Sequence, residues 1–442
     1  MWKGGEGSFI ADYRKPNSNA SRLGGGEMKD EDGKKFLNRR NFLKSSVSAL
    51  ALFSFSKLGV NQVSAQEPIV FAVVDDLSGP FASSGKRTVE GMQMALEEIN
   101  YTLLGKKIKL EIRDTELKPG VAVRRMREVI EKEHPKLIIS SCSSAVQLAM
   151  EEVALDQKTL FWTEGWATEI TGKACNRYTF RWDPGNFTMA KSAVVNMMKL
   201  VPERKKWFTI TADYSWGYSM LDVMVPTLRA LGAKHIGNIY TPLGEREFST
   251  YLTSAMAAKP DVISVVNFGE DQMNAIKQAH EFGAKKVALI HTPGSGLEMF
   301  RGVGSEALEG VYAGVSWWFT VDSPFSKEFA KKYKERFKDT ASFSVINHYT
   351  AVKVTLEAIK SVGSFEPGKV IPKLEGFKYK GPFGDETIRE WDHQCIHPYL
   401  LTKGRAPKEK KFDDDYVDVV GSGEAFPSKE ESLCKDIFGT KL

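Results

Sequence analysis

From Pro68 onward the chain alternates between two hydrophobic periods. The run "PIVFAVV" is apolar and of strand length, and 87–100 then places Val89, Met92, Ala95, Leu96 and Ile99 at helical spacing. "KIKLEIR" alternates as a strand does, "GVAVRRMREVIEK" is helical, "KLIIS" is a strand, "AVQLAMEEVAL" a helix and "TLFWT" a strand. After "YTFRWDPGNF" the alternation restarts. "WFTIT", "HIGNIY", "DVISVVN" and "KVALIH" read as strands, separated by helices at 218–231, 248–259 and 271–282. The second unit ends near "GVYAGVSWWF". Helices at 326–337 and 343–361 follow, then a strand-like "EWDHQCIHPYLLTKG".

Strand and helix alternating in this way build parallel sheets covered on both faces. Two such units, with later segments crossing back between them, predict an α/β protein of two Rossmann-like lobes joined by a hinge. Ligands of open α/β sheets lie outside the carboxyl ends of the strands, so the site is expected in the cleft between the lobes. "LIISSCSSAV" empties a strand into Ser140, Ser141, Cys142, Ser143 and Ser144 just where a helix begins. Free N–H groups at a helix start favour an anion, and serine hydroxyls add donors without charge. Capping of that same helix by Ser143 or Ser144 is an equal use of the pattern.

Composition changes the picture at the N-terminus. The 442-residue chain carries 61 Lys/Arg and 56 Asp/Glu, a formal charge of +5. Removing the 11 basic and 6 acidic residues of 1–65 leaves 50 of each, so nucleic acid drops out as a partner. Those residues read as an export signal. Arg39-Arg40 precedes Phe42-Leu43-Lys44, an apolar stretch at 47–55 is too short to span a bilayer, and Val63-Ser64-Ala65 offers a cleavage site before Gln66. The pattern resembles a twin-arginine signal and predicts a periplasmic protein. Residues 1–27 read as disordered, and Met28 is the more conventional start for such a signal. In an oxidising compartment Cys142, Cys175, Cys395 and Cys434 allow three connectivities, of which Cys395–Cys434 is expected because both lie in the C-terminal segment.

Enzyme signatures fail. The chain has no G-x-S-x-G elbow, no phosphate loop and no H-E-x-x-H, and Gly302-x-Gly304-x-x-Ala307 matches the dinucleotide fingerprint without a strand leading into it. On a strand His393, Cys395 and His397 share one face, but three ligands on one local strand lack a fourth. No metal, cofactor or catalytic residue is expected.

"DLSGPFASSGKRTVEGMQMALEEIN", "GKKIKLEIRDTELKPGVAVRRMREVI", "IISSCSSAV", "ADYSWGYSM", "GVYAGVSWWF" and "EWDHQ", in that order, resemble the periplasmic solute-binding proteins of branched-chain amino-acid-type ABC transporters. The resemblance covers 67–405. It implies a type I periplasmic-binding fold, with one lobe of 66–182 plus 318–390 and a second of 183–317 plus 391–442. It also implies a monomer that closes on a small solute and docks transiently on a membrane permease. The ligand's carboxylate is expected at Cys142, Ser143 and Ser144, and a second contact with the ligand from the 165–168 loop, through the backbone from Gly165 and Trp166 to Thr168 and the Thr168 hydroxyl. Ser84, Trp216, Asn267 and Phe268 complete the implied lining.

Two departures bear on the ligand. Where the family's leucine binders place a glutamate for the ligand's ammonium, this chain has Pro293. Either Glu270 or Asp271 substitutes, or the ligand carries no ammonium. Trp162, Trp166, Trp216, Trp317 and Trp318 fall at expected strand ends or lobe crossings and suit a planar or apolar body. The family's Cys-Ser-Ser cysteine is often bridged to the preceding strand-loop, but "IRDTELKPG" has none, which leaves Cys142 free or paired with Cys175. The expectation is a binding protein for a hydrophobic or aromatic acid or an amino acid. A sensory ligand-binding subunit and an exported α/β enzyme are the alternatives.

Overall fold

The computed structural model of the protein describes residues 67–141, 143–439 and 442. The export signal and Cys142 lie outside the described residues. The first lobe is a six-stranded sheet ordered β2-β3-β1-β4-β5-β6. Its strands are β1 (Ile69–Asp75), β2 (Thr102–Leu103), β3 (Lys106–Asp114), β4 (Leu137–Ser140), β5 (Phe161–Thr163) and β6 (Thr179–Arg181), all parallel except the β2–β3 hairpin. Helices α1 (Ala82–Glu97), α2 (Pro119–Glu133) and α3 (Ser144–Asp156) connect them. β1 and β4 read as continuous apolar runs because both faces of a parallel sheet are covered.

The chain then runs through α4 (Asn186–Met189), a π-helical turn and α5 (Val195–Leu200) into the second lobe. Its strands β7 (Lys206–Ala212), β8 (Lys234–Thr241), β9 (Val262–Val266), β10 (Leu289–Thr292) and β11 (Tyr312–Val315) are parallel, in the order β8-β7-β9-β10-β11. Between them lie α6 (Ser215–Ala230), α7 (Ser249–Ala257), α8 (Gly269–Glu281), α9 (Leu297–Val303) and α10 (Ser305–Leu308). Helices α11 (Pro324–Phe337) and α12 (Phe343–Val362) return to the first lobe, where α12 packs along α1. After α13 (Pro367–Leu374), strands β12 (Lys378–Gly381), β13 (Gly384–Ile388) and β14 (Cys395–Ile396) form a small antiparallel sheet. β15 (Tyr399–Gly404) and β16 (Val417–Gly423) extend the second lobe's sheet beyond β11.

In the first lobe β3 flanks β1 and β4 lies on its other side, and in the second β8 flanks β7 and β9 lies on its other side. The order therefore reverses between β1 and β4 and between β7 and β9. Those switch points open crevices at the strands' carboxyl ends, and Ser141, Ser143, Asn267 and Phe268 lie there.

Three readings of the sequence need correction. The stretch "YTFRWDPGNF" is not merely a boundary, because Thr179–Arg181 completes the first sheet and the apolar residues of 186–200 are helical. "EWDHQCIHPYLL" is not one strand. His393 adopts φ +57°, Gln394 bridges to Arg181, and only Cys395–Ile396 form a strand before the chain bends into β15. The three candidate metal ligands therefore do not share a face: His393 Nδ1 faces the Thr179 carbonyl, and His397 Nε2 faces that of Trp182. Finally, Cys434 pairs with Cys175 and not with Cys395. Cys395 is buried in the small sheet, whereas the C-terminal segment folds back to bring Cys434 within 5.7 Å (Cα–Cα) of Cys175.

Candidate functional site

The end of β1 supplies two buried carboxylates, Asp75 and Asp76. Asp75 accepts from Asp76 N (2.8 Å), Ser141 N (3.0 Å) and the Ser141 hydroxyl (2.9 Å). Asp76 accepts from the Thr115 hydroxyl and from Ser143 N (3.3 Å). Burial and the neighbouring Asp75 charge push Asp76 up to about 8. The amides of the serine turn are thus held by the chain's own acids.

Each serine has a definite task. Ser143 is the N-cap of α3, its Oγ accepting from Val146 N at 3.5 Å. The Ser144 hydroxyl accepts from Trp166 N (3.1 Å) and Ala167 N (3.0 Å), stitching α3 to the loop after β5. Gln147, one turn into α3, donates to Ser140 Oγ and the Ser141 carbonyl and accepts from Thr163. Thr163 Oγ1 in turn accepts from Gly165 N. From β6, Arg181 donates to Ala167 O (2.7 Å), to the Thr171 hydroxyl and to Gln394 Oε1 (2.6 Å), so one buried guanidinium holds the 165–171 loop. Burial lowers its pKa to about 10.

The lobes meet along this loop. Thr168 N donates to Ser219 Oγ (2.8 Å), and the Ser219 hydroxyl donates to Thr168 Oγ1 (3.0 Å). The Trp166 ring lies 4.9 Å from Phe268 and 5.6 Å from Trp216 of the second lobe, and 6.1 Å from Phe343 on α12. Phe81 meets Phe268 edge-on at 5.3 Å. Gly269 N-terminates α8 at φ +62°, where a Cβ would stand 2.4 Å from the Pro80 carbonyl oxygen. Glycine there permits both the left-handed turn and the approach.

Of the five tryptophans singled out, Trp166 and Trp216 reach the cleft. Trp162 donates to Thr355, Trp317 donates to Ser326, and Trp318 packs on Phe300 in the second lobe's core. Asn267 donates to Thr241, leaving its Oδ1 unpartnered. Ser84 is buried on α1 with its hydroxyl unpartnered. Pro293 turns its carbonyl to the Tyr399 hydroxyl (2.7 Å). Neither proposed substitute acid faces the cleft: Glu270 is exposed, and Asp271 accepts from Gly244 N at 2.8 Å.

Sequence reading missed three residues. Gln272 donates to the carbonyls of Asn267 and Gly294 and accepts from Ser295, joining the loops after β9 and β10. Glu164 and Asp183 are fully buried carboxylates at the ends of β5 and β6. Both acids lie within two residues of a strand end and of a tryptophan, in "FWTEGW" and "RWDPG".

A family model described as periplasmic binding protein matches residues 68–410. The crystal structure of an amino acid ABC transporter substrate-binding protein from Pseudomonas fluorescens Pf-5 superposes with a TM-score of 0.80 at 37% identity, over 84% of this chain and 100% of that one. Leu/Ile/Val-binding protein homolog 4 of Brucella melitensis is 25% identical over 378 residues, 81% of this chain and 88% of the relative. The fold is shared with an R. palustris solute-binding protein solved with benzoate (TM-score 0.75, 18% identity, 84% of this chain and 100% of that one). Sequence and architecture agree over nearly all of the described chain, which belongs to the periplasmic binding proteins that serve ABC transporters.

Proposed function

We propose that the protein captures a small carboxylate-bearing solute with an apolar or aromatic body between its lobes and presents it to a membrane permease. The observation that carries this reading is the aromatic cluster in which Trp166, Phe81 and Phe343 of one lobe meet Trp216 and Phe268 of the other. Such faces bury planar or branched hydrocarbon. Donors left unspent by the fold, the Trp216 indole N–H and the hydroxyls of Ser84 and Ser342, suit a carboxylate. The amino-acid transporter relative and the benzoate-bound neighbour fit a solute of this size.

On this reading no bond is made or broken. The lobes, 66–182 plus 318–390 and 183–317 plus 391–442, turn about the crossings near 183, 317 and 390. The protein acts as a monomer, and the Arg39-Arg40 signal sends it through the twin-arginine route.

The test is a thermal-shift screen of the mature chain against aliphatic and aromatic carboxylates and amino acids. A ligand at 100 times its Kd adds about 2.7 kcal/mol of stability. A shift that Trp166→Ala abolishes is expected. No shift with any such compound overturns the reading.

A further inference from the structure

Resting on that capture reading, the arrangement of Glu164 and Asp183 narrows what the solute carries. β5 and β6 are adjacent parallel strands, so Glu164 and Asp183 leave the same end of the sheet, beside the lobe crossing. Glu164 accepts one hydrogen bond, from Asn347 Nδ2 to Oε1 at 2.6 Å, and its Oε2 accepts no well-formed hydrogen bond among the described residues. His348 Nδ1 stands 3.8 Å from that oxygen, but is already engaged with the Ser344 carbonyl at 2.6 Å. Asp183 accepts the Trp166 indole N–H on Oδ2, and its Oδ1 is likewise unpartnered. The hydroxyls of Ser344, beside Glu164, and Ser316, beside Asp183, are 0% and 2% exposed and make no well-formed hydrogen bond.

Carboxylates this deep are ordinarily matched by a cation. The neighbouring guanidinium of Arg181 attracts Asp183, but its N–H groups are spent on Ala167, Thr171 and Gln394. Arg87, on α1 of the same lobe, is spent on Glu298, Glu90 and Asp339. Burial, reinforced by the charges of Asp75 and Glu298, pushes Glu164 up to about 8. Burial and the Glu164 charge push Asp183 well above the carboxylate range. Acids raised in this way hold their protons in the ligand-free protein, and a cation seated beside them favours their ionised form instead. The indole that bonds Asp183 belongs to the same Trp166 that anchors the aromatic cluster, so the acids border the expected seat of the solute's body.

We infer that Glu164 and Asp183 receive a positively charged nitrogen of the solute, an ammonium or amidinium, beside its apolar body. That nitrogen is then met from the first lobe's sheet edge, and not from the loop after β10 where Pro293 stands.

Matched probe sets test the inference by calorimetry on the mature chain. Each hydrocarbon body is offered as acid, amine and amino acid: 3-phenylpropanoate, phenethylamine and phenylalanine, then 4-methylpentanoate, isopentylamine and leucine. Members bearing an ammonium are expected to bind. Glu164→Gln and Asp183→Asn are each expected to weaken them at least tenfold, while leaving the ligand-free melting temperature unchanged or higher. Binding confined to the acids that lack nitrogen overturns the inference and leaves the capture reading standing, whereas no binding by any of the six overturns both. A fall in melting temperature with unchanged binding makes the two carboxylates structural and also overturns it.

Discussion

Arg87 on α1 of the first lobe donates from Nε to Glu298 on α9 of the second at 3.0 Å, with the guanidinium shared by Asp339 at 2.6 Å. Arg301, one turn along α9 from Glu298, reaches the same Asp339 at 2.7 Å and Asp414 at 2.7 Å. The pair joins the two lobes, so on the capture reading it forms as they close. Glu298→Gln keeps the remaining partners of Arg87 and removes the charge that reaches across. A partly buried pair of this kind contributes about 1–2 kcal/mol, so solute affinity should fall roughly tenfold. Calorimetric Kd values for the variant, with small-angle scattering of the ligand-free form, check this. An unchanged Kd would sink the latch.

The Cys175–Cys434 bridge closes a separation of 259 residues. Such a cross-link restricts the unfolded chain strongly, and its loss typically costs about 2–5 kcal/mol. The paired Cys175→Ser, Cys434→Ser variant should melt well below the parent, and reductant should reproduce the shift. Peptide mapping under non-reducing conditions should recover the 175–434 link, with Cys395 as a thiol unreactive until the chain unfolds. Burial raises the Cys395 pKa well above its usual value, which suppresses the reactive thiolate.

The alternation of β and α elements was legible because parallel sheets demand it. β1, β4, β5, β7, β9 and β10 fall on apolar runs and β3 and β8 on mixed polar and apolar segments read as strands, whereas the two-residue β2 leaves no pattern to read. The cysteine pairing was not, because proximity in sequence says nothing about which loop the C-terminal tail covers. The serine turn was legible as a place but not as a set of roles. Five polar residues in a row look interchangeable until the fold decides which hydroxyl meets which amide. The acids behind it were passed over for a related reason: a Glu or Asp in a loop is ordinarily solvated, and only the return of α12 over β5 buries Glu164 against Asn347.

Ser143 and Ser144 can be told apart by experiment. Ser143→Ala removes one long N-cap bond and should cost about 1 kcal/mol. Ser144→Ala leaves the buried amides of Trp166 and Ala167 without their acceptor, at about 1–3 kcal/mol for each unsatisfied group. The second variant should therefore melt lower and bind solute more weakly, because the loop bearing Trp166 loses its tether. Thermal melts of the two side by side decide it, and equal effects would contradict the assignment of the loop to Ser144.

Stability should pass through a maximum in mildly acidic solution. Asp76, Glu164 and Glu386 have folded pKa values pushed to about 8 by burial, so the folded state holds protons that the unfolded state releases. For each, stability is lost as pH rises from the unfolded carboxylate value, 3.8 for Asp76 and 4.5 for the two glutamates, through about 8. Buried histidines act in the opposite sense. Burial lowers His291 to about 3 and His397 to about 4, so stability is lost as pH falls below about 6.5, where the unfolded imidazoles take up protons. Glu164 is faced by Asp75, Asp183, Glu298 and His348, and Glu164→Gln removes one titrating member of that set. Melting temperatures from pH 5 to 9 should show the variant declining less steeply than the parent on the alkaline side while matching it on the acid side. Parallel alkaline limbs would mean that the Glu164 carboxyl is ionised in the folded protein throughout, with its charge compensated from within the chain.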